Sequence, residues 1–267
     1  CDVSTLGKID IQGPDAHRLL DFVYTNIFST LKIGKVRYGL MLREDGHVMD
    51  DGTTARLAEN HYVMTTTTAA AGQVMRHLDF VHQCLHPEWD VSFISVTEQW
   101  AQFSIAGPKS QELVNAVLDK PITSETFPFM SCASVGVLGE AGRLFRISFS
   151  GEHGYEIAVP SRYGESLFRL LVSRAEEIGG GPYGMDALNV LRLEKGFITH
   201  AEIHGRITAF DLGMQRMVSE KKDCIGKTSA FRPGLLDSDR EQPIALKPVG
   251  SVKQITAGAH LFDLNDE

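Results

Sequence analysis

The sequence predicts an α+β fold built from two tandem split-βαβ, ferredoxin-like units, each of order βαββαβ as far as its strands can be traced. Three observations predict it. The chain echoes itself: Lys8-Ile9-Asp10-Ile11-Gln12-Gly13-Pro14-Asp15-Ala16 followed by Leu19-Leu20 and Val23 returns as Gln102-Phe103-Ser104-Ile105-Ala106-Gly107-Pro108-Lys109-Ser110 followed by Leu113-Val114 and Val117. Each copy changes from a period of two to a helical period across its Gly-Pro step. The length of 267 residues is enough for two ordinary domains.

In the first copy, alternating apolar residues make a strand, Gly13 permits the turn and Pro14 opens the helix, where its missing amide donor is not needed. A strand over about 38 to 43, a Gly46 hairpin and a strand over about 53 to 67 follow. A helix over about 69 to 82 and a strand near Val91–Val96 complete the unit. The second copy continues with a strand over about 132 to 138, a turn at Gly139-Glu140-Ala141-Gly142, a long strand from Arg143 to Val159 and a helix over about 162 to 177. A further helix, Asp186 to Lys195, ends near Gly196, with Lys195 set against its dipole. The domain bounds expected are 1–100, 101–235 and 236–267. The last opens at Pro243-Ile244-Ala245-Leu246-Lys247-Pro248 and looks like the start of another β domain.

Composition narrows the function. A net charge of −8, with no Lys/Arg run interleaved with aromatics, argues against a general nucleic-acid binder. No stretch reaches the ~18 apolar residues of a membrane helix, and no basic-then-apolar leader is seen, so no membrane partner and a cytoplasmic protein are expected. Four well-separated cysteines, Cys1, Cys84, Cys132 and Cys224, fit reduced thiols. Beginning at Cys1 and stopping near Leu261-Phe262-Asp263, the chain reads as a piece of a longer polypeptide.

The most informative stretch is Val48-Met49-Asp50-Asp51-Gly52, an adjacent carboxylate pair beside a Gly turn. Neighbours on a strand point to opposite faces, so the pair cannot both face solvent on a sheet covered on one side. A carboxylate held in a cleft rises in pKa and becomes a proton acceptor or cation stabiliser. Read alone, however, the stretch is first of all polar turn punctuation. In the second copy Gly151-Glu152-His153-Gly154-Tyr155-Glu156 puts two glycines inside an apolar run, the mark of a bulge or a close ligand. This strand is expected to hold the place that the Asp51 strand holds in the first copy, so that Asp51 and Glu156 could line one crevice. The alternative is an exposed carboxylate on an edge strand. Thr65 to Thr68 are expected to cap the following helix. His77, His82, Cys84 and His86 straddle a helix end and do not make a metal site, so none is expected. No phosphate-binding loop, dinucleotide fingerprint or hydrolase spacing is visible.

Taken together, Cys1–Gly7, Gly34-Lys35-Val36-Arg37-Tyr38, Val48–Asp51, Ile105-Ala106-Gly107-Pro108, Gly151–Glu156 and Ala187–Glu194 resemble the tetrahydrofolate-dependent aminomethyltransferase family, the T-protein of glycine cleavage, over about residues 1 to 235. Leu40–Gly46, Thr65–Thr68, Ser95–Gln102 and Leu144–Glu152 are similar, more closely, to the C-terminal half of heterotetrameric sarcosine oxidase alpha subunits. The resemblance implies a folate pocket at the centre of three lobes, the third a β-barrel of which 236–267 would be only the beginning. It implies that Asp51 is catalytic near N10 of tetrahydrofolate, that Glu156 binds the pterin, and that Tyr38, Leu6, Tyr155 and Phe129 belong to the cofactor-binding set. The implied activity is acceptance of the one-carbon unit from sarcosine oxidation to form 5,10-methylenetetrahydrofolate. FAD, FMN and NAD are then expected only in other subunits or in an N-terminal region, with beta, gamma and delta subunits as partners. A folate-binding or assembly domain without turnover, and a stand-alone aminomethyltransferase, are the alternatives. The sequence departs from the family where Leu188 replaces an Arg, Ala70 an Asn and Phe129 a Tyr.

Overall fold

The computed structural model describes residues 1–251, 255, 258–260 and 262. Its first sheet holds β1 (Gly7–Gln12), β2 (Lys35–Leu42), β3 (Val48–Ala58), β4 (His61–Thr66) and β5 (Ser92–Ser95), in the order β2-β3-β4-β1-β5 with antiparallel neighbours. Helices α1 (Ala16–Val23) and α2 (Ala71–Phe80) cover one face. The second sheet holds β6 (Trp100–Ala106), β7 (Cys132–Val137), β8 (Glu140–Phe145) and β9 (Gly154–Pro160) in the order β6-β9-β8-β7, with α3 (Ser110–Asn115) and α4 (Gly164–Glu177) on one face. The α+β architecture of two antiparallel, helix-covered sheets follows the sequence.

Both long predicted strands are in fact two. The run over 53 to 67 turns at Glu59-Asn60, where Arg56 donates to the Glu59 carbonyl through Nε and Nη2 (3.2 and 2.7 Å). The run from Arg143 to Val159 leaves the sheet over 146–153 and returns as β9. Each unit therefore begins βαβββα. The strands correspond as β1 with β6, β2 with β7, β3 with β8 and β4 with β9. Asp51 lies on β3 and Glu156 on β9, so the expectation that they occupy equivalent strands is corrected: a turn hidden in each apolar run shifts the count by one.

The free edge of β6 is the place that β5 fills beside β1. Residues from the start of the chain take it: Val3 N–H donates to Gln102 O at 2.9 Å, Ser104 N–H donates to Cys1 O at 2.8 Å, and Asp2 pairs with Phe103. The polypeptide then crosses into β1, stitching the two units together.

On the faces away from the helices the sheets meet through Val36, Ala55, Cys132 and Phe145. Arg143 makes a two-pronged bond to Asp10 of the other sheet (2.9 and 2.8 Å) and lies 4.2 Å from the Trp100 ring centroid. Burial works to raise the Asp10 carboxyl, but the hydrogen bonds from His61 and Arg143 outweigh it and hold it below its ordinary value. After α4 comes α5 (Met185–Lys195), closed by Gly196 in the left-handed conformation at φ 81°. Ile203, Ala209, Leu212 and Val218 then pack on Leu40, Leu42 and Val48. The predicted opening of a β domain is not formed over 236–251, which contain no strand and are almost wholly exposed. A strand needs a ladder partner, and the described residues offer none to Ile244–Leu246. Most of 251–267 in that prediction lies outside the described residues.

Candidate functional site

Strand alternation separates the carboxylate pair. Asp50 stands opposite Met41 on the helix-covered side, while Asp51 stands opposite Leu40 on the inner side. Asp50 is 1% exposed and accepts from the Thr67 hydroxyl (2.8 Å) and the Thr67 amide (3.3 Å). Burial pushes its carboxyl up to about 7, against the pull of those bonds. The threonine run therefore does not cap α2, whose N-cap is Ala70 and has no side-chain cap bond. Thr67 serves Asp50, and Thr65 shares a 2.9 Å hydroxyl contact with Thr53.

Asp51 accepts from the phenol of Tyr38 at 2.8 Å on Oδ2, across the β2–β3 diagonal. Its Oδ1 is buried and has no partner among the described residues. Burial raises the carboxyl above its ordinary value, with the Tyr38 bond offsetting part of the rise. Burial and the Asp51 charge together raise the Tyr38 phenol, so it remains a donor. Gly52 owes its place to close backbone approach: a Cβ there would lie 2.0 Å from the Thr65 carbonyl oxygen. The Asp-Asp-Gly run is thus strand interior, and the turn-punctuation reading is overturned.

Glu156 is not on an edge. β9 lies between β6 and β8, and Glu156 faces inward opposite Ser104 and Phe145 at 6% exposure. Gln102 Nε2 donates to its Oε2. Burial raises the carboxyl, and the Gln102 bond and the charge of Lys8 draw it partly back. Ser104 and Tyr183 share a 3.1 Å hydroxyl contact beside it. Lys8, 2% exposed on β1, donates from Nζ to the carbonyls of Ser4 (2.7 Å) and Leu6 (3.0 Å).

The predicted residues therefore fall into three places. Tyr38 and Asp51 are joined on the inner face of the first sheet, and Glu156 lies on the inner face of the second. Half-buried Leu6 sits in the crossover, tied by its carbonyl to Lys8. Tyr155 points the other way, fully buried in the helix-covered core, because it adjoins Glu156 on one strand. Phe129 is 63% exposed, next to the seam at Met130. Leu188 and Ala70 are both buried. Lys8, Gln102, Ser104 and Tyr183 were not singled out from the sequence. A signal existed for Lys8, which with Asp10 puts charges on the face opposite Ile9 and Ile11.

Among the described residues no group of three or more His, Cys, Asp or Glu side chains is arranged to hold a metal ion, and His82 and His86 are engaged with Trp89. No helix among them is long and apolar enough to cross a membrane.

This chain is 50% identical to the sarcosine oxidase subunit alpha of Rhizobium meliloti (strain 1021) over 265 residues, which are 98% of this chain and 27% of that protein. It is 29% identical to an aminomethyltransferase of Listeria monocytogenes serotype 4a (strain HCC23), covering all of this chain and 71% of that protein. The chain thus spans about a quarter of the length of the sarcosine oxidase relative. The crystal structure of glycine cleavage system aminomethyltransferase T from Bartonella henselae shares its fold, with a TM-score of 0.75 at 22% identity over 85% of this chain and 60% of that one. The family profile described as the GCVT N-terminal domain matches residues 1–222, and the chain belongs to that family.

Proposed function

We propose that the crevice between the two sheets binds tetrahydrofolate, and that the chain is the one-carbon-accepting part of a sarcosine oxidase alpha subunit, in which 5,10-methylenetetrahydrofolate is formed. The binding region comprises the two units at 1–100 and 101–235. The observation that carries the reading is Asp51 Oδ1: a buried acceptor without a partner, raised in pKa and fixed by Tyr38, on the same inward side as buried Glu156. A carboxylate so placed is costly to the fold unless a ligand uses it.

The residues present fit the ligand. Glu156 offers a carboxylate whose hydrogen bond from Gln102 reaches only Oε2, leaving acceptor capacity for the guanidine-like edge of a pterin. Tyr38 beside Asp51 and half-buried Leu6 beside Lys8 supply aromatic and apolar surface. When bound, tetrahydrofolate supplies the nitrogen that accepts the one-carbon unit. Asp51 would stabilise positive charge at the amine or imine carbon source and accept the proton lost by the attacking folate nitrogen, while the carbon–nitrogen bond of the source breaks and its amine leaves. Tyr38 keeps its phenolic proton and aims Asp51. Oxidation of sarcosine takes place at flavin and NAD-linked sites outside this chain, on the beta, gamma and delta subunits or elsewhere in alpha.

The test is Asp51→Asn in the intact protein. Folate affinity stays within a few-fold, while formation of 5,10-methylenetetrahydrofolate falls by about 10²–10⁴ and formaldehyde is released instead. Unchanged product partition would leave the chain a folate-holding domain without turnover, the reading that buried Leu188 and Ala70 favour in place of family polar residues.

A further inference from the structure

Lys8 is an ammonium at 2% exposure with no ion pair inside 4 Å among the described residues. A fully buried lysine is normally paired. Two of its three N–H donors are used on the carbonyls of Ser4 and Leu6. The charged groups that face it are Glu156 from β9, Asp2 from the crossover and Glu98 from the turn before β6, with Glu156 the foremost. From the other side, Glu156 faces Lys8, the amide of Gln102 and the phenol of Tyr183. Among the described residues Lys8 is the cation that acts on it. The same crossover also grips Gln102, whose amide N–H donates to Ser4 Oγ at 2.9 Å. Lys8 is thus fixed to the backbone that frames the Glu156 side of the crevice.

The ionisation state of Glu156 decides what it can hold. A carboxylate accepts on both oxygens, whereas the protonated acid becomes a donor on one of them and meets a donor-rich edge proton to proton. Burial pushes Glu156 toward the acid. We infer that Lys8 is a positioning residue for the folate site, keeping Glu156 a two-oxygen acceptor for the pterin edge while its backbone bonds hold Leu6 in place. This rests on the folate reading above and adds a residue to it. Burial lowers the Lys8 ammonium itself to about 8, so it is cationic through the neutral range in which its charge acts.

The experiment measures the dissociation constant of 5-formyltetrahydrofolate from pH 5.5 to 8 in the intact protein, in Lys8→Met, and in Lys8→Gln, which can still donate to the Ser4 and Leu6 carbonyls. The unaltered protein holds its affinity to lower pH than either variant. Both variants lose affinity as pH falls, by about tenfold for each pH unit below the raised Glu156 value. Glu156→Gln binds weakly at every pH, and adding Lys8→Met to it introduces no slope. A purely structural role for Lys8 would lower affinity equally at all pH values and spare Lys8→Gln, and that result overturns the inference. Binding by the unaltered protein together with flat profiles in both variants overturns it as well. Failure of the unaltered protein to bind at any pH would instead bring down the folate reading beneath it.

Discussion

Asp50 makes the chain's own stability depend on pH in a direction opposite to that of most carboxylates. Its folded-state value of about 7 lies above its ordinary 3.8. The folded chain therefore holds a proton that the unfolded chain has released, and stability falls as pH rises from about 4 to about 7. At one unit per 1.36 kcal/mol the full penalty at neutral pH is roughly 4 kcal/mol, and side-chain exposure of 1% leaves little solvent to screen it. Asp50→Asn removes the charge and keeps one acceptor oxygen, enough for the Thr67 hydroxyl or the Thr67 amide but not both, a loss that is the same at every pH. Urea unfolding of the chain and of Asp50→Asn, repeated at half-unit steps from pH 4 to 8, reads the difference directly. The variant gains on the parent progressively up to pH 7 and then runs parallel to it. Glu156, raised by burial, and His77 and His153, lowered by it, tilt both curves and cancel in the difference, whereas Asp51, whose charge helps raise Asp50, adds to the variant's gain in the same direction. Two curves separated by a constant amount across the range would refute the assignment of a burial-raised carboxyl to Asp50.

Arg143→Met leaves the partly buried Asp10 without its guanidinium and costs about 2–4 kcal/mol in chemical unfolding; a loss within 1 kcal/mol would mean that His61 alone satisfies Asp10. Gly52→Ala forces β3 away from the Thr65 carbonyl and lowers stability by about 1–3 kcal/mol, read as a fall in melting temperature. Tyr38→Phe removes the hydrogen bond to Asp51, raises that carboxyl further and moves the acid limb of the turnover profile to higher pH, with folate affinity changed less than turnover; an unmoved limb would exclude Tyr38 as the group that aims Asp51.

The Gly-Pro repeats and the alternation beside them made both units legible in the sequence, because period and turn chemistry are local. Two turns escaped notice for the opposite reason. Glu59-Asn60 carries no glycine or proline and is closed by Arg56 from within the same strand, while 146–153 contains Phe149 between polar residues and still reads as apolar. The burial of Glu156 depended on which strand became central, a long-range pairing that no short window reports. Asp51 was legible as a candidate, but the reason for Gly52 was not. Glycine there answers a carbonyl from β4, thirteen residues downstream at Thr65. The threonine run was misread because capping is a local preference, whereas the demand of buried Asp50 comes from across the sheet.

The internal repeat, once its strands are matched correctly, explains why the two carboxylates are not copies of each other. Asp51 on β3 corresponds to a position on β8, the strand that instead supplies Arg143 and Phe145 to the contact between the sheets. Glu156 on β9 corresponds to a position on β4, the strand that in the first unit supplies Thr65. Each unit has therefore given up on one strand what the other uses, and the inner faces are complementary rather than symmetric: carboxylate with phenol on one side, carboxylate with amide on the other. The asymmetry begins at the crossover. Where β5 closes the first sheet, residues from the start of the chain close the second, and only that exchange brings Leu6 and Lys8 across to the Glu156 side. A variant that weakens the crossover without touching either carboxylate, such as Ser4→Ala at its bonds to Gln102, should therefore lower folate affinity through Glu156 while leaving the Tyr38–Asp51 pair intact. Equal loss at both ends would show that the two faces are coupled through the sheet contact rather than through the crossover.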